Sequence, residues 1–362
     1  MMHNSLHIRD RLLEAAGDPM RRERRDPHRG VRRDPLSRPD PGEIELTGAW
    51  SVQGTAGVPG MAEAAADLTD YLRRMGVEAS VGGSAERRVV LDAGGTAPRT
   101  DDGDPAAFSL SASADELRIA SADIGGIWAG IVYLEKMMGR RRAPIVRLGS
   151  KSVRPRWNVQ MGQAPYGANF LVPDLSPDYL GDDAFRTMIH YGVNGMTIYG
   201  DWLLYVGGSR FPELDHPEYR RNIDVLKDAS ERAGKYGVKL YYVAVSPKLS
   251  GDHPLFANRP HVRGSRIAGG SDPNKSIYSL CSSSPDSLAF HEETMENLFR
   301  EVPALGGLIL IVGGESYYHC FMRPDFSRAA PGRRTDCPAC AESRPEDVVA
   351  RLLERTAAGV RR

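Results

Sequence analysis

Residues 182–202, DDAFRTMIHYGVNGMTIYGDW, and residues 217–246, PEYRRNIDVLKDASERAGKYGVKLYYVAVS, decide the architecture of the second half of the chain. In each, apolar residues at helical spacing run up to a glycine, and a short apolar run rich in β-branched and aromatic residues follows. Helix then strand, twice in succession, is the rhythm of parallel βαβ units. It extends in both directions. WNVQMG at 157–162 supplies a strand before the first helix; a helical pattern at 284–306, a strand at 307–316 and a last helix at 344–360 follow. A closed (β/α)8 barrel requires eight such units and typically about 250 residues, whereas four units fit into the roughly 210 residues after Arg154. The expected fold class is therefore α/β: a (β/α)8-type barrel of which only about the first four βα units are present, preceded by a small α+β domain. The half barrel is expected to be a truncated gene product, a fragment, or one of two complementary parts. Its open edges would favour poor solubility or oligomers.

The preceding domain is read from a different pattern. Met61, Ala65, Leu68, Leu72 and Met75 place one stripe of a helix inward, and Gly76 stands where a C-terminal cap is needed. Three strand signals follow, around 87–94, 107–113 and 116–122, and then a helix over 124–139 carrying Ile127, Ile131, Leu134 and Met138. Glycines at the start of that helix allow close packing on a sheet. Neither glycine group fits a dinucleotide or phosphate-loop motif, which disfavours a nucleotide-binding wind. Residues 21–40, RRERRDPHRGVRRDPLSRPD, are dense in arginine and proline and predict a disordered arm. The expected domains are an arm over 1–42, an α+β domain over 43–150 and a partial barrel over 151–362.

Lysine plus arginine equal aspartate plus glutamate at 47 each, so no global charge points to nucleic acid. No apolar run reaches the roughly 18 to 20 residues of a membrane span, and the first residues lack a secretory apolar segment, so a cytoplasmic location is expected. The four cysteines are Cys281, Cys320, Cys337 and Cys340. Cys337 and Cys340 form a CxxC motif. Thiolates at this spacing can close on a structural zinc with His319 or Cys281 as fourth ligand, the alternatives being free buried thiols or a redox pair.

Barrel enzymes carry their reactive groups at the C-terminal ends of the strands. The strand at 195–202 ends with Tyr199, Asp201 and Trp202; the strand at 307–316 ends with Glu315, followed by Tyr317, Tyr318 and His319. Carboxylates beside aromatic rings suit a sugar, whose apolar faces stack on rings while an acid protonates the glycosidic oxygen. Glu315 is the candidate catalytic acid, and Tyr199, Asp201, Trp202, Tyr317 and Tyr318 are candidate substrate contacts. Metal ligands would come from Cys320, Cys337, Cys340 and His319. His190 and His253, each alone in a helix or loop, read as structural.

The stretch DELRIASADIGGIWAGIVYLEKMM, 115–138, resembles the strand and helix that close the small domain preceding the barrel in family 20 β-hexosaminidases and in α-glucuronidases. SVRPRWNVQM, 152–161, stands where those enzymes have their first barrel strand; FRTMIHYGVNGMTIYGDW, 185–202, and LIVGGES, 310–316, are similar to later barrel segments. The resemblance spans roughly residues 45–345 on the barrel pattern. It implies a glycoside hydrolase acting on an amino sugar or uronic acid, with a carbohydrate as partner and no organic cofactor. Aligning the glycines sets Glu315 on the family's acetamido-orienting aspartate and Ser316 on its acid, while the sugar-binding arginine falls near Gln160. Glu315 is then either the acid or the acetamido-orienting group of a divergent relative.

Overall fold

The computed structural model describes residues 26–95, 98–100, 107–155, 157–163, 180–267, 276–313, 317–322, 331–332 and 334–362. The elements run β1 (Glu43–Glu45), β2 (Ala49–Gly54), α1 (Met61–Arg74), β3 (Glu78–Val81), β4 (Arg87–Ala93), β5 (Phe108–Ala112), β6 (Glu116–Ser121), α2 (Ile124–Arg141), β7 (Ile145–Arg147) and β8 (Gly149–Val153). They continue with β9 (Met161–Gln163), α3 (Asp182–His190), β10 (Gly195–Asp201), α4 (Tyr219–Gly234), β11 (Lys239–Val245), β12 (Lys248–Ser250) and α5 (Pro254–Asn258). The last are β13 (Arg263–Arg266), β14 (Ile277–Leu280), α6 (Pro285–Glu301), β15 (Gly307–Ile309) and α7 (Pro345–Arg361). The chain divides into two compact units, the first comprising residues 1–165, 177–196 and 231–239 and the second the remainder.

The first unit is built on a six-stranded sheet in the order β3-β2-β4-β6-β5-β8. β2, β3, β4 and β6 pair in parallel, and β5 runs antiparallel to β6 and β8. Its core joins Val52, Val89, Leu91, Leu117 and Ile119 of the sheet to Leu68 and Leu72 of α1 and to Ile127, Ile131, Leu134 and Met138 of α2, all buried. Helical spacing in the sequence thus marks the inward stripe of both helices. The glycines of α2 do what their position suggests: a Cβ on Gly126 would run into Ser121 and the Ala107 carbonyl, and one on Gly130 into Ile119. Helix α2 ends as capped: Ala143 N–H reaches Met138 O at 3.1 Å.

The arginine-rich stretch departs from the expected arm. Residues 1–25 lie outside the described residues, but His28 is 1% exposed, Asp34 N–H donates to Arg142 O at 2.6 Å, and Arg141 meets Asp40 at 2.8 Å. Poor apolar content predicts disorder because it counts only hydrophobic burial. Here polar side chains find partners across the unit, which composition does not reveal. This unit also takes in α3 and the end of α4, beyond the expected boundary at residue 150. Trp128 of α2 donates through Nε1 to Lys235 O at 2.8 Å and packs beside Tyr236, which lies near Phe185 of α3.

From β9 onward the alternation read from the sequence is realised. A four-stranded sheet has the order β15-β11-β10-β9, the chain order that successive βα units produce, and β11 and β15 pair in parallel with Tyr241 opposite Gly307. Helix α3 turns into β10 through Gly192, whose φ of 80° suits glycine; Gly192 N–H bonds Ile189 O and Val193 N–H bonds Met188 O, each at 2.9 Å. Among the described residues this sheet remains open and no closed barrel forms. A feature without a sequence signal is the small antiparallel sheet β12-β14-β13 after β11. In the second unit α7 packs on α6, so closely that a Cβ on Gly359 would strike the Glu292 carbonyl.

Candidate functional site

The strand ends of the second unit gather part of the expected constellation. Asp201, at the end of β10, is exposed at the surface, and its Oδ1 accepts from Leu203 N–H at 2.9 Å, which caps the 3-10 turn Trp202–Tyr205. Although the residue remains accessible, neighbouring protein crowds its carboxyl and raises the pKa above the ordinary carboxylate value; the Leu203 amide, Lys248 and His216 act in the opposite sense. Tyr318 lies beside Lys248, whose Nζ donates to the phenol oxygen at 3.2 Å and stands 4.7 Å from the ring centroid. The Tyr318 amide is anchored on Ser246 Oγ at 2.6 Å. Tyr199 is half-buried on β10, next to Gly200, whose carbonyl accepts from Tyr242 at 3.0 Å. Glu315, the carboxylate weighted most heavily from the sequence, lies outside the described residues.

Two expected sugar contacts are core residues instead. Trp202 is 1% exposed and donates through Nε1 to Thr294 Oγ1 of α6 at 3.0 Å. Tyr317 is fully buried, and its hydroxyl is 2.8 Å from Thr356 Oγ1 of α7. The rings stack at 6.4 Å, with His291 edge-on to both. Position at a strand end selects residues near the mouth, but the next residue along points the opposite way, into the helix layer. No ring face is left for a ligand. His253 fits its structural reading, with Nδ1 accepting Leu255 N–H at 3.2 Å to cap α5.

The cysteines converge. Cys281 follows β14, Cys320 follows β15, and Cys337 and Cys340 precede α7; all are buried and none is in a disulfide. Sγ–Sγ separations of 3.6 Å (Cys337–Cys281) and 4.0 Å (Cys281–Cys340) far exceed a disulfide bond of about 2.05 Å. They match the roughly 3.8 Å edge of a tetrahedron with zinc–sulfur bonds near 2.3 Å. Cys320 and Ser282 hold each other in place: Ser282 N–H reaches Cys320 Sγ at 3.5 Å, and Cys320 N–H reaches Ser282 Oγ at 3.0 Å. The fourth member is Cys281 rather than His319. His319 uses both ring nitrogens locally, Nδ1 accepting Phe321 N–H at 3.2 Å and Nε2 donating to Val312 O at 3.1 Å.

A second group was not legible as a site. His28, Asp67, Glu135 and His190 of the first unit bring their side-chain donor atoms within 4.8 Å of one another. His190 is not the isolated structural histidine it seemed. No spacing motif connects residues so far apart in sequence; the only signal is that Asp67 and Glu135 occupy helix positions that the apolar stripes place toward the interior.

No protein-family model matches the sequence, and no curated protein matches it. Among solved structures the fold is similar to that of glycoside hydrolases. One is a GH138 enzyme targeting pectin rhamnogalacturonan II, 12% identical at a TM-score of 0.55, matched over 86% of this chain and 42% of its own. Another is the β-N-acetylhexosaminidase from Bacteroides fragilis NCTC 9343, 14% identical at a TM-score of 0.50, matched over 88% of this chain and 62% of its own. The resemblance to family 20 β-hexosaminidases read from the sequence holds at the level of fold, and the chain spans about half the length of these relatives. No helix among the described residues is long and apolar enough to cross a membrane.

Proposed function

We propose that the chain belongs to a glycoside hydrolase that acts on amino sugar or uronic acid residues, its β9-to-α7 segment being four βα units of a (β/α)8-type barrel. The observation that carries this reading is the strand-end arrangement of the second unit. There Asp201, with its raised carboxyl pKa, occurs on the same unit as Lys248 and Tyr318, in a fold similar to that of glycosidases. A carboxyl whose pKa is raised is the better placed to donate a proton to a glycosidic oxygen, and the aromatic ring beside a cation offers a stacking surface with a polar tip. Glu315 is assigned as the second carboxylate on its place after the fourth strand. No organic cofactor is needed for this chemistry. The four thiolates are assigned to a structural zinc that ties the segments after β14 and β15 to the start of α7.

The test is turnover and binding of aryl N-acetylhexosaminides and aryl uronides by the chain, compared with Glu315→Gln and Asp201→Asn. Each substitution keeps shape and removes one of the two carboxyl groups, so hydrolysis should fall by about 100-fold or more while binding persists. Binding without hydrolysis in the unsubstituted chain would instead identify a carbohydrate-binding remnant. Absence of both would remove the carbohydrate reading. Zinc is tested separately by metal analysis of Cys337→Ser, which should lose the thiolate-bound ion.

A further inference from the structure

His28, Asp67, Glu135 and His190 come from four separate places: the turn after residue 25, α1, α2 and the last turn of α3. His28, Asp67 and Glu135 are buried, and the His190 side chain is 9% exposed. His28 Nε2 lies 3.1 Å from Glu135 Oε1, 3.5 Å from Asp67 Oδ2 and 3.2 Å from His190 Nε2. His190 Nε2 lies 3.1 Å from Asp67 Oδ2 and 3.2 Å from Glu135 Oε2. Ligands about 2.0 to 2.1 Å from a tetrahedral zinc are separated by roughly 3.3 Å, the range of these separations, with Glu135 presenting one oxygen to each histidine.

The outer ring nitrogens decide what faces inward. His190 Nδ1 is 2.7 Å from Arg186 O, a carbonyl that can only accept, so Nδ1 carries the hydrogen. His28 Nδ1 is 3.1 Å from the Asp70 carboxylate and donates likewise. In its neutral form, with Nδ1 donating outward, each imidazole turns its Nε2 lone pair toward the other and toward two carboxylates. Protonating both would instead set two N–H groups head to head at 3.2 Å. Asp67 Oδ2 is buried and, among the described residues, faces only the two imidazole nitrogens, while Arg186 holds the other oxygen of the same carboxylate. Four electron-rich atoms around one point, with outer-shell partners already orienting the imidazoles, are the donor set of a divalent metal.

We propose that His28, Asp67, Glu135 and His190 form a structural zinc site, separate from the thiolate site, that clamps the segment around residue 28 onto α1, α2 and α3. The set is closed, with four protein ligands and no position opening to solvent, which suits a structural rather than a catalytic ion. It also accounts for the order of an arginine- and proline-rich segment that has almost no apolar surface to bury.

The experiment is zinc and cobalt(II) loading of the full chain and of Cys337→Ser/Cys340→Ser. The double variant should retain about one equivalent of zinc, and with cobalt(II) it should show tetrahedral d–d absorption without thiolate charge transfer. A double variant with the far-UV circular dichroism of the parent that binds neither ion overturns the proposal. Should that variant fail to fold, His28→Ala in the otherwise unchanged chain decides: loss of about one equivalent of zinc is expected, and undiminished zinc overturns it. Asp70→Asn, which touches the imidazole and not the ion, should weaken zinc binding by about 10- to 100-fold.

Discussion

His291 lies wholly inside the second unit, between Trp202, Tyr317 and Phe290, with Nδ1 donating to Ser287 O at 2.7 Å. Burial among rings disfavours the imidazolium, and the pKa falls from 6.5 to about 4, the Ser287 carbonyl offsetting part of the effect. For a base whose folded pKa is depressed, the unfolded chain binds the extra proton, so the stability is fully present above the unfolded value and is lost as pH falls toward the folded one. Integrating that single titration, acidification from about pH 7 to about pH 5 should cost about 2 kcal/mol. His291→Gln has no such proton to gain and keeps a donor for the Ser287 carbonyl. Urea unfolding of both chains across that range measures the difference. Metal ligands and surface carboxylates titrate in both and cancel. The parent should lose about 2 kcal/mol more than the variant, whatever their stabilities at neutral pH. Equal losses would refute the reasoning, and with it the placing of Trp202 and Tyr317 in a dry core.

Tyr317→Phe removes only the bond to Thr356 and should cost about 1 kcal/mol of stability without altering sugar affinity, as urea unfolding and titration with an aryl glycoside would show. Tyr318→Ala should weaken that same affinity with little change in unfolding midpoint, because its ring is partly exposed beside Lys248. Gly130→Ala puts a methyl against Ile119 and the Phe108 ring, and overpacking of this kind should destabilise the first unit by about 1 to 3 kcal/mol in the same unfolding assay. Chelator treatment should lower the thermal midpoint, and stoichiometric zinc should restore it; a midpoint indifferent to both would argue against either structural ion.

Periodicity determined much of this protein. The apolar stripes of α1 and α2, the glycines of α2 that meet β6, and the alternation from α3 through β11 to α7 were all legible, because each depends on neighbours within a few residues. The convergence of three cysteines was half legible: the CxxC spacing pointed to metal, but Cys281 prevailed over His319 only when β14 brought it up beside the others and local bonds occupied both nitrogens of His319. Strand-end position singled out Asp201 and Tyr318, neither of which is buried, yet it could not say that Trp202 and Tyr317 turn inward, since that depends on α6 and α7 supplying Thr294 and Thr356. The group of His28, Asp67, Glu135 and His190 belongs wholly to tertiary structure. Its members are separated by 107 residues from His28 to Glu135 and 162 from His28 to His190, and only the packing of three helices around one turn makes them neighbours. Local sequence sets which face of an element is apolar; which polar atoms end up sharing a centre is decided by how those faces are laid together.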